Sequence, residues 1–322
     1  MQEEVENRTL TLVVSGTKFT GRLFKAAICK YLAHRKEKKL NKQRSRDAPV
    51  KPQGKQTVKQ LIGQNQGVSN IEITDPSIKE FEKIARKYGV DYLLLSAADT
   101  AGWDSVLKDA QDAGIRVILF DRTIDADASL YEASIVSDMA KEGQTAVDWL
   151  KGQGLSEYKI IHLQGVMGSA AQQGRSGALD EAVASDGWTL VTQQTAEWNA
   201  EKAQQIVQSV IDSGESFNVI YAENDDMAKG AVAALDKANI SHGVGKDVIV
   251  MGFDCNKWAL EELLNQNWNY DGQCNPFQAS YIDDIIKTLE SGGTISEKTI
   301  IMEEKGFDAA SITQEDVDKY GI

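Results

Sequence analysis

From residue 91 to the C-terminus, six short strand-like runs alternate with stretches of helical periodicity: DYLLLSA, RVILFD, YKIIHLQG, TLVTQQT, NVIYAEN and DVIVMGFD. No other feature of the chain restricts its fold as tightly. A strand that is apolar along most of its length hides both faces, and intervening helices let such strands lie parallel beneath two helical layers. Helices are predicted over 103–113, with Gly114 as the stop, and over 175–184, 200–213 and 227–238. The expected class is therefore α/β with a doubly wound parallel sheet.

The region before Tyr92 has a different texture. Through Tyr92 the chain carries 19 Lys and Arg against 10 Asp and Glu; the remainder carries 16 against 38, and the whole 322-residue chain has a net charge of −13. A uniform single domain rarely divides its charge this way. The basic excess centres on HRKEKKLNKQRSR (34–46), and the polar stretch over about 40–58 reads as a flexible linker. On either side, TLTLVVSG and NIEIT have strand composition, Leu23, Phe24, Ala27, Ile28, Tyr31 and Leu32 recur at helical spacing, and Asp75-Pro76 starts a helix with Ile78, Phe81, Ile84 and Ala85 on its apolar face. Residues 1–92 thus read as a small, basic, helix-rich module.

Several function classes drop out. Cys29, Cys255 and Cys274 are odd in number and lack CxxC spacing, so they read as buried or incidental thiols, not as a disulfide framework or a metal site. His34, His162 and His242 are scattered, with no Ser/His/Asp or metal-ligand spacing, and GVMGSAAQQGRSG lacks the Gly-Lys-Ser/Thr of a phosphate-binding loop. No enzyme activity, catalytic residue, metal or cofactor is expected. No apolar run approaches the roughly 18 residues of a membrane span, and the acidic start MQEEVENRTL is unlike a signal peptide, so the chain as written is expected to stay in the cytoplasm.

In open parallel sheets ligands bind beyond the carboxyl ends of the strands. The polar residues following the strand-like runs form one set: Asp121 and Arg122, Arg175, Trp198, Asn224, Asp254, and Gln273 with Asn275. Carboxylates accept from adjacent hydroxyls, Arg and Asn donate, and an indole covers a C–H face, which together suit a polyhydroxylated ligand. Taken singly, each has a structural reading as a cap or turn residue.

The order and spacing of TAGWDSVLKDAQDAGIRVILFDRTID (100–125), SLYEASIVSDMAKEG (129–143), LQGVMGSAAQQGRSG (163–177), YAENDDMAKGA (221–231), GFD (252–254) and CNPF (274–277) carry a specific likeness. From about residue 89 onward the chain resembles the solute-binding proteins of sugar ABC importers, and among these the galactofuranose-binding proteins. The resemblance implies the type I periplasmic-binding-protein fold: two doubly wound parallel-sheet lobes closing on a sugar about three crossings, near 135–138, 275–276 and 300–303. It puts Asp121, Arg122, Arg175, Trp198, Asn224 and Asp254 on sugar-contacting positions and leaves Gln273 and Asn275 both open. It further implies a monosaccharide ligand, ABC permease subunits as partners, and action outside the cytoplasmic membrane.

On this mapping 138–275 is a complete second lobe, while 93–137 and 276–322 are a remnant of a first lobe lacking its first two βα units. In their place NRTLTLVVSGTKFTGRL, KYLAHRK and GKQTVKQLIGQNQGVSNIEITDPSIKEFEKIARKYGVDY make residues 1–92 similar to the PcfB proteins of Gram-positive conjugative elements. The two resemblances meet at Val90-Asp91-Tyr92, which points to a chimera with crippled sugar affinity. Strand–helix order before Tyr92 mimics the missing units by pattern only; the strand at 92–96 is expected to expose an apolar edge and face unless the N-terminal module covers it. Two alternatives follow: a conjugation-associated protein with a passenger fragment, or a sugar-responsive regulator binding DNA through the basic segment. The second lacks a compact helix-turn-helix before Tyr92.

Overall fold

The computed structural model describes residues 13–14 and 91–322. The linker, the helices expected before residue 91, Cys29 and His34 lie outside these residues. In chain order the strands are β1 (Val13–Val14), β2 (Tyr92–Leu95), β3 (Arg116–Asp121), β4 (Ala133–Val136), β5 (Lys159–Gln164), β6 (Thr189–Thr195), β7 (Val219–Ala222), β8 (Ile249–Phe253), β9 (Tyr270–Gly272), β10 (Thr299–Ile301) and β11 (Gly306–Asp308). The helices are α1 (Asp104–Asp112), α2 (Met139–Gly152), α3 (Ala170–Asp186), α4 (Ala200–Ser213), α5 (Asp225–Lys237), α6 (Lys257–Leu264), α7 (Ala279–Glu290) and α8 (Gln314–Tyr320). All six strand-like runs are strands, and α3 starts five residues before Arg175, so Arg175 sits in its second turn.

The chain forms two compact units, one taking the described residues up to Ile135 with Ala279–Ile300, the other Val136–Gln278 with Ile301–Ile322. The first contains a sheet in the order β1-β2-β3-β4-β10. β2 and β3 are parallel, and Leu93, Leu95, Val117 and Leu119 pack with Leu107 and Ala110 of α1. The edge of β2 expected to be exposed unless covered has a parallel neighbour over two residues, Val13 opposite Leu94 and Val14 opposite Leu95. Val13 and Val14 therefore enter this sheet, pairing backbone groups on the edge of β2.

The second unit has a sheet in the order β11-β9-β8-β7-β5-β6, parallel throughout except for β11 against β9. Successive strand residues face opposite sides. Ile161, Ile220 and Val250 pack with Val207 of α4 and Met227 and Leu235 of α5, while Ile160, Val219, Ile249 and Met251 pack with Val147 and Leu150 of α2 and Leu179 of α3. Continuous apolar strands are what a sheet covered twice requires. Residues 301–322 belong here, whereas the sequence predicts 276–322 in the first lobe. The reason is pairing: Phe307 lies opposite Asp271 on β9, and Phe307 and Val317 are buried in this core.

Two glycines set the distance between α2 and α3. A Cβ on Gly174 would stand 2.5 Å from the Met139 carbonyl carbon, and one on Gly143 would stand 2.8 Å from the Gly174 carbonyl oxygen. This close approach brings Arg175 within reach of Glu142. Gly174→Ala is expected to destabilise the protein by about 1–3 kcal/mol through overpacking against backbone, which cannot rotate away. Urea denaturation compared with the wild type checks this, and equal midpoints count against it.

Candidate functional site

In the first unit β3 ends at Asp121, whose φ is 69°. Its Oδ2 accepts from Ser96 Oγ and from Arg122 Nε, both at 3.0 Å. The Asp121 and Arg122 side chains are 31% and 23% exposed, so they form an oriented pair still open to water.

In the second unit the site grows around Arg175, whose side chain is 2% exposed. Guanidinium removed from water needs its N–H groups satisfied and its charge balanced. Nε donates to Glu142 Oε2 at 2.8 Å, Nη2 reaches the same oxygen at 2.7 Å and Asp254 Oδ1 at 3.3 Å, and Nη1 donates to the carbonyl oxygen of Glu223. The guanidinium lies 4.6 Å from the centroid of the Phe253 ring. The buried carboxylate of Glu223 is satisfied separately: Oε2 accepts from Gly165 N at 2.7 Å, Oε1 accepts from Ser176 Oγ, and His162 Nε2 lies 2.9 Å from Oε1. His162 is a core histidine, 0% exposed.

The remaining expected residues take these places. Asp254 follows β8 with φ 112° and Cys255 with φ 61°, a backbone state that costs non-glycine residues about 1–3 kcal/mol and survives only where neighbours hold it. Asp254 N donates to Gly272 O at 2.9 Å. Asn224 is the N-cap of α5, its Oδ1 accepting from Met227 N at 2.9 Å, and its backbone directly follows the Glu223 carbonyl that Arg175 holds. Trp198 has φ 61° and lies on Gly165, where a Cβ would meet the ring at 1.8 Å. It packs beside Met139, Ala170, Ala171 and Cys274. Gln273 is buried, and its N donates to Lys305 O. Asn275 accepts from Phe277 N at 3.0 Å and donates its own N–H to Glu304 Oε1 at 2.6 Å. Arg175 and Asp254 thus meet directly, Asn224 adjoins through the Glu223 carbonyl before it, and Trp198 and Cys274 pack against the same cluster of Met139, Ala170 and Ala171.

Sequence reasoning missed Glu142, Glu223, Phe253 and Glu304. Glu142 lies within the motif at 129–143, yet one carboxyl in an otherwise polar helical turn reads as solvent-facing. Inside the unit it is 6% exposed. Burial, reinforced by Glu304 and Asp254 and opposed by Arg175, pushes its carboxyl up to about 8, and Glu304, also raised by burial, hydrogen-bonds to it. Glu142 Oε1 has no donor from any other group. Glu142, Cys274 and Glu304 also present an oxygen, a sulfur and an oxygen within 4.8 Å of one another, a set compatible with a divalent cation. Ser137 Oγ and Asn275 N already donate to Glu304. Beside these residues a cavity of about 200 Å³ is lined by Lys141, Tyr270, Gln273 and Lys305 among others. Among the described residues, no helix is long and apolar enough to cross a membrane.

Comparison with known proteins agrees with this architecture. A family model described as periplasmic binding protein domain matches residues 55–282, and the chain belongs to that family. The match begins at residue 55, upstream of the boundary near residue 89 expected from the sequence. Galactofuranose-binding protein YtfQ of Escherichia coli is 29% identical over 216 residues, 65% of this chain and 67% of that protein. Fructose import binding protein FruE of Bifidobacterium longum is 30% identical over 228 residues, 69% and 68% of the two chains. Among solved structures, the arabinose transporter component of Shewanella sp. ANA-3 with bound L-arabinofuranose superposes with a TM-score of 0.69 at 25% identity, covering 77% of this chain and 80% of that one. A galactofuranose-binding protein gives 0.69 at 26%, covering 78% and 88%.

The Glu142 proton has a measurable consequence. An unfolded Glu titrates near 4.3 and the folded one near 8, so between these values the native state holds the extra proton and stability falls as pH rises. Denaturation midpoints measured from about pH 5 to about pH 8 are expected to fall less steeply for Glu142→Gln than for the wild type. Superimposable pH profiles would show that Glu142 is ionised in the native protein.

Proposed function

We propose that this member of the periplasmic binding protein domain family is the receptor of an ABC importer for a monosaccharide, hexose or galactofuranose-like, acting outside the cytoplasmic membrane. Asp254 carries the reading. It sits at a strand end in a left-handed turn, 3.3 Å from a buried arginine, with its side chain still 30% exposed. A carboxylate held this way accepts from two adjacent hydroxyls, and its partner Arg175 aims it. The proposed contacts are Asp121, Arg122, Arg175, Trp198, Asn224 and Asp254, with Gln273 or Asn275 completing them. Ring-contracted sugars are supported by the neighbours described with arabinofuranose and fucofuranose and by the galactofuranose-binding relatives. The permease partner and the absence of catalysis follow from the same membership, since the named relatives are binding proteins.

Residues 1–92 carry a separate proposal, a PcfB-like segment joined near Val90-Asp91-Tyr92 in place of the first βα units. Its support is the set of motifs above and the reversal of charge at that point. The family match from residue 55 weighs against a junction as late as Tyr92. With the first lobe's start replaced, sugar affinity is expected to be weak. A regulator that binds DNA has no supporting observation among the described residues.

Calorimetric titration of the full chain with galactofuranose, arabinose, fructose and ribose is expected to give a Kd of about 0.1–10 mM for at least one sugar, weakened about tenfold or more by Asp254→Asn, a loss of about 1.4 kcal/mol. No heat with any of them defeats the receptor reading. Submicromolar binding defeats only the crippling.

A further inference from the structure

Beneath Asp254 the second unit buries two more carboxyls, which none of the contacts above uses. Asp225 opens α5 and Asp271 is the central residue of β9; both are 0% exposed. Their juxtaposition follows from Gly252. In the parallel pairing of β8 with β9, Gly252 lies opposite Asp271, so a side chain at either position points to the same face of the sheet. On that face Asp225 Oδ1 stands 2.6 Å from where a Gly252 Cβ would be, and the Trp268 ring stands 3.0 Å from it. The missing side chain is therefore the space into which Asp225 reaches. The two carboxyls hydrogen-bond to each other and Asp271 also accepts from the Cys255 N–H, yet Asp225 Oδ1 has no N–H or O–H donor from any other group. Two carboxylates cannot hydrogen-bond without a proton between them, and burial without one leaves adjacent like charges unscreened.

The other oxygen of Asp225 does structural work on the site. Asp225 Oδ2 accepts from Asn256 N at 2.8 Å and from Asn256 Nδ2 at 3.1 Å. It thereby closes the turn in which Asp254 and Cys255 hold positive φ, while Gly272, next to Asp271, accepts from Asp254 N. Asp254 is thus held through a neighbour of each member of the pair: Asn256, which Asp225 accepts from, and Gly272, which follows Asp271.

We propose that Asp225 and Asp271 share one proton and that the protonated pair is the positioning element for Asp254. The proposal rests on the sugar-receptor reading for what Asp254 binds, though not for the pair itself. Loss of the proton puts two buried carboxylates beside a third, pushes Asp225 off Asn256 and releases the left-handed turn. The titratable groups facing the pair are Asp254 and Cys255 after β8, Tyr270 beside Asp271 on β9, and Arg175 on α3, with Cys274 acting through Cys255 and Glu142 through Tyr270. Among these Arg175 is the cation acting on Asp271, and it is committed to Glu142 and Asp254. Burial, together with Asp254, raises both carboxyls well above the usual range.

The test uses the full chain labelled with carbon-13 only at aspartate carboxyls, which keeps Glu142 and Glu304 silent. The expected result is one protonated aspartate signal persisting at neutral pH and lost in Asp271→Asn, whose amide supplies a donor that does not titrate. The Asp254 resonance should shift as the pair ionises in alkaline solution, and stay still in the variant. From neutral to alkaline solution the sugar affinity of the wild type should fall about tenfold or more, and that of the variant, relative to its own neutral value, should not. Asp225→Asn is the second variant should Asp271→Asn fail to fold. Absence of a protonated aspartate at neutral pH, its survival in both variants, or an Asp254 resonance indifferent to the pair overturns the proposal. Failure of every sugar to bind defeats the receptor reading instead, and the resonances still decide on the pair.

Discussion

The second unit is organised around one desolvated charge. Arg175 is 2% exposed on its side chain, and its guanidinium is shared among a glutamate, an aspartate, a backbone carbonyl and the face of a phenylalanine ring. Each partner comes from a different element: Glu142 from α2, Glu223 from the end of β7, Phe253 and Asp254 from β8 and the turn after it. A buried guanidinium with any of these removed leaves an uncompensated charge, whose cost is several times that of an ordinary surface contact. Helix packing is subordinate to this requirement. Gly143 and Gly174 let α2 and α3 touch backbone to backbone, which carries Glu142 to Arg175. Tyr221 Oη, donating to the Arg175 carbonyl, holds the helix from the sheet side.

One arginine does not balance the acids gathered near it. Glu142, Glu304, Asp254, Asp225 and Asp271 lie in the same unit, and burial raises the carboxyls of Glu142, Glu304, Asp225 and Asp271. The proton proposed between Asp225 and Asp271 has a parallel at Glu142, whose carboxyl burial pushes up to about 8 beside Glu304. Protonation is thus a structural component, as much as the leucines and valines of the core. It also separates the acid that faces outward from those that support it, which the bare count of 48 acidic residues does not reveal.

Much of this was legible in the chain. Strand-like runs alternating with helical periodicity determine an α/β fold with a doubly covered sheet, because apolar strands must be covered on both sides and period fixes which residues face which layer. Asp121 ends β3, and Asn224 and Asp254 stand just after β7 and β8, as the strand-end rule expects, whereas Arg175 lies in the second turn of α3. What could not be read was partnership. Glu142 and Glu223 look like ordinary polar residues of a helix and a strand end, and only the approach of α2 to α3 and of β5 to β7 buries them. The fate of residues 301–322 was likewise decided by the antiparallel pairing of β11 with β9, an interaction across more than thirty residues of sequence.

Local pattern settles which face of a strand or helix is apolar and where a turn must break it, since those depend on spacings of a few residues. The sequence by itself therefore determined the class of fold, the strand ends and the polar residues that stand there. Only the tertiary structure decided which carboxyls lose water, which of them pair with Arg175 and which with each other, and that Gly252 is the opening that lets Asp225 meet Asp271. The physical reason is that ionisation responds to everything within a few ångströms, and those neighbours arrive from elements far apart in the chain.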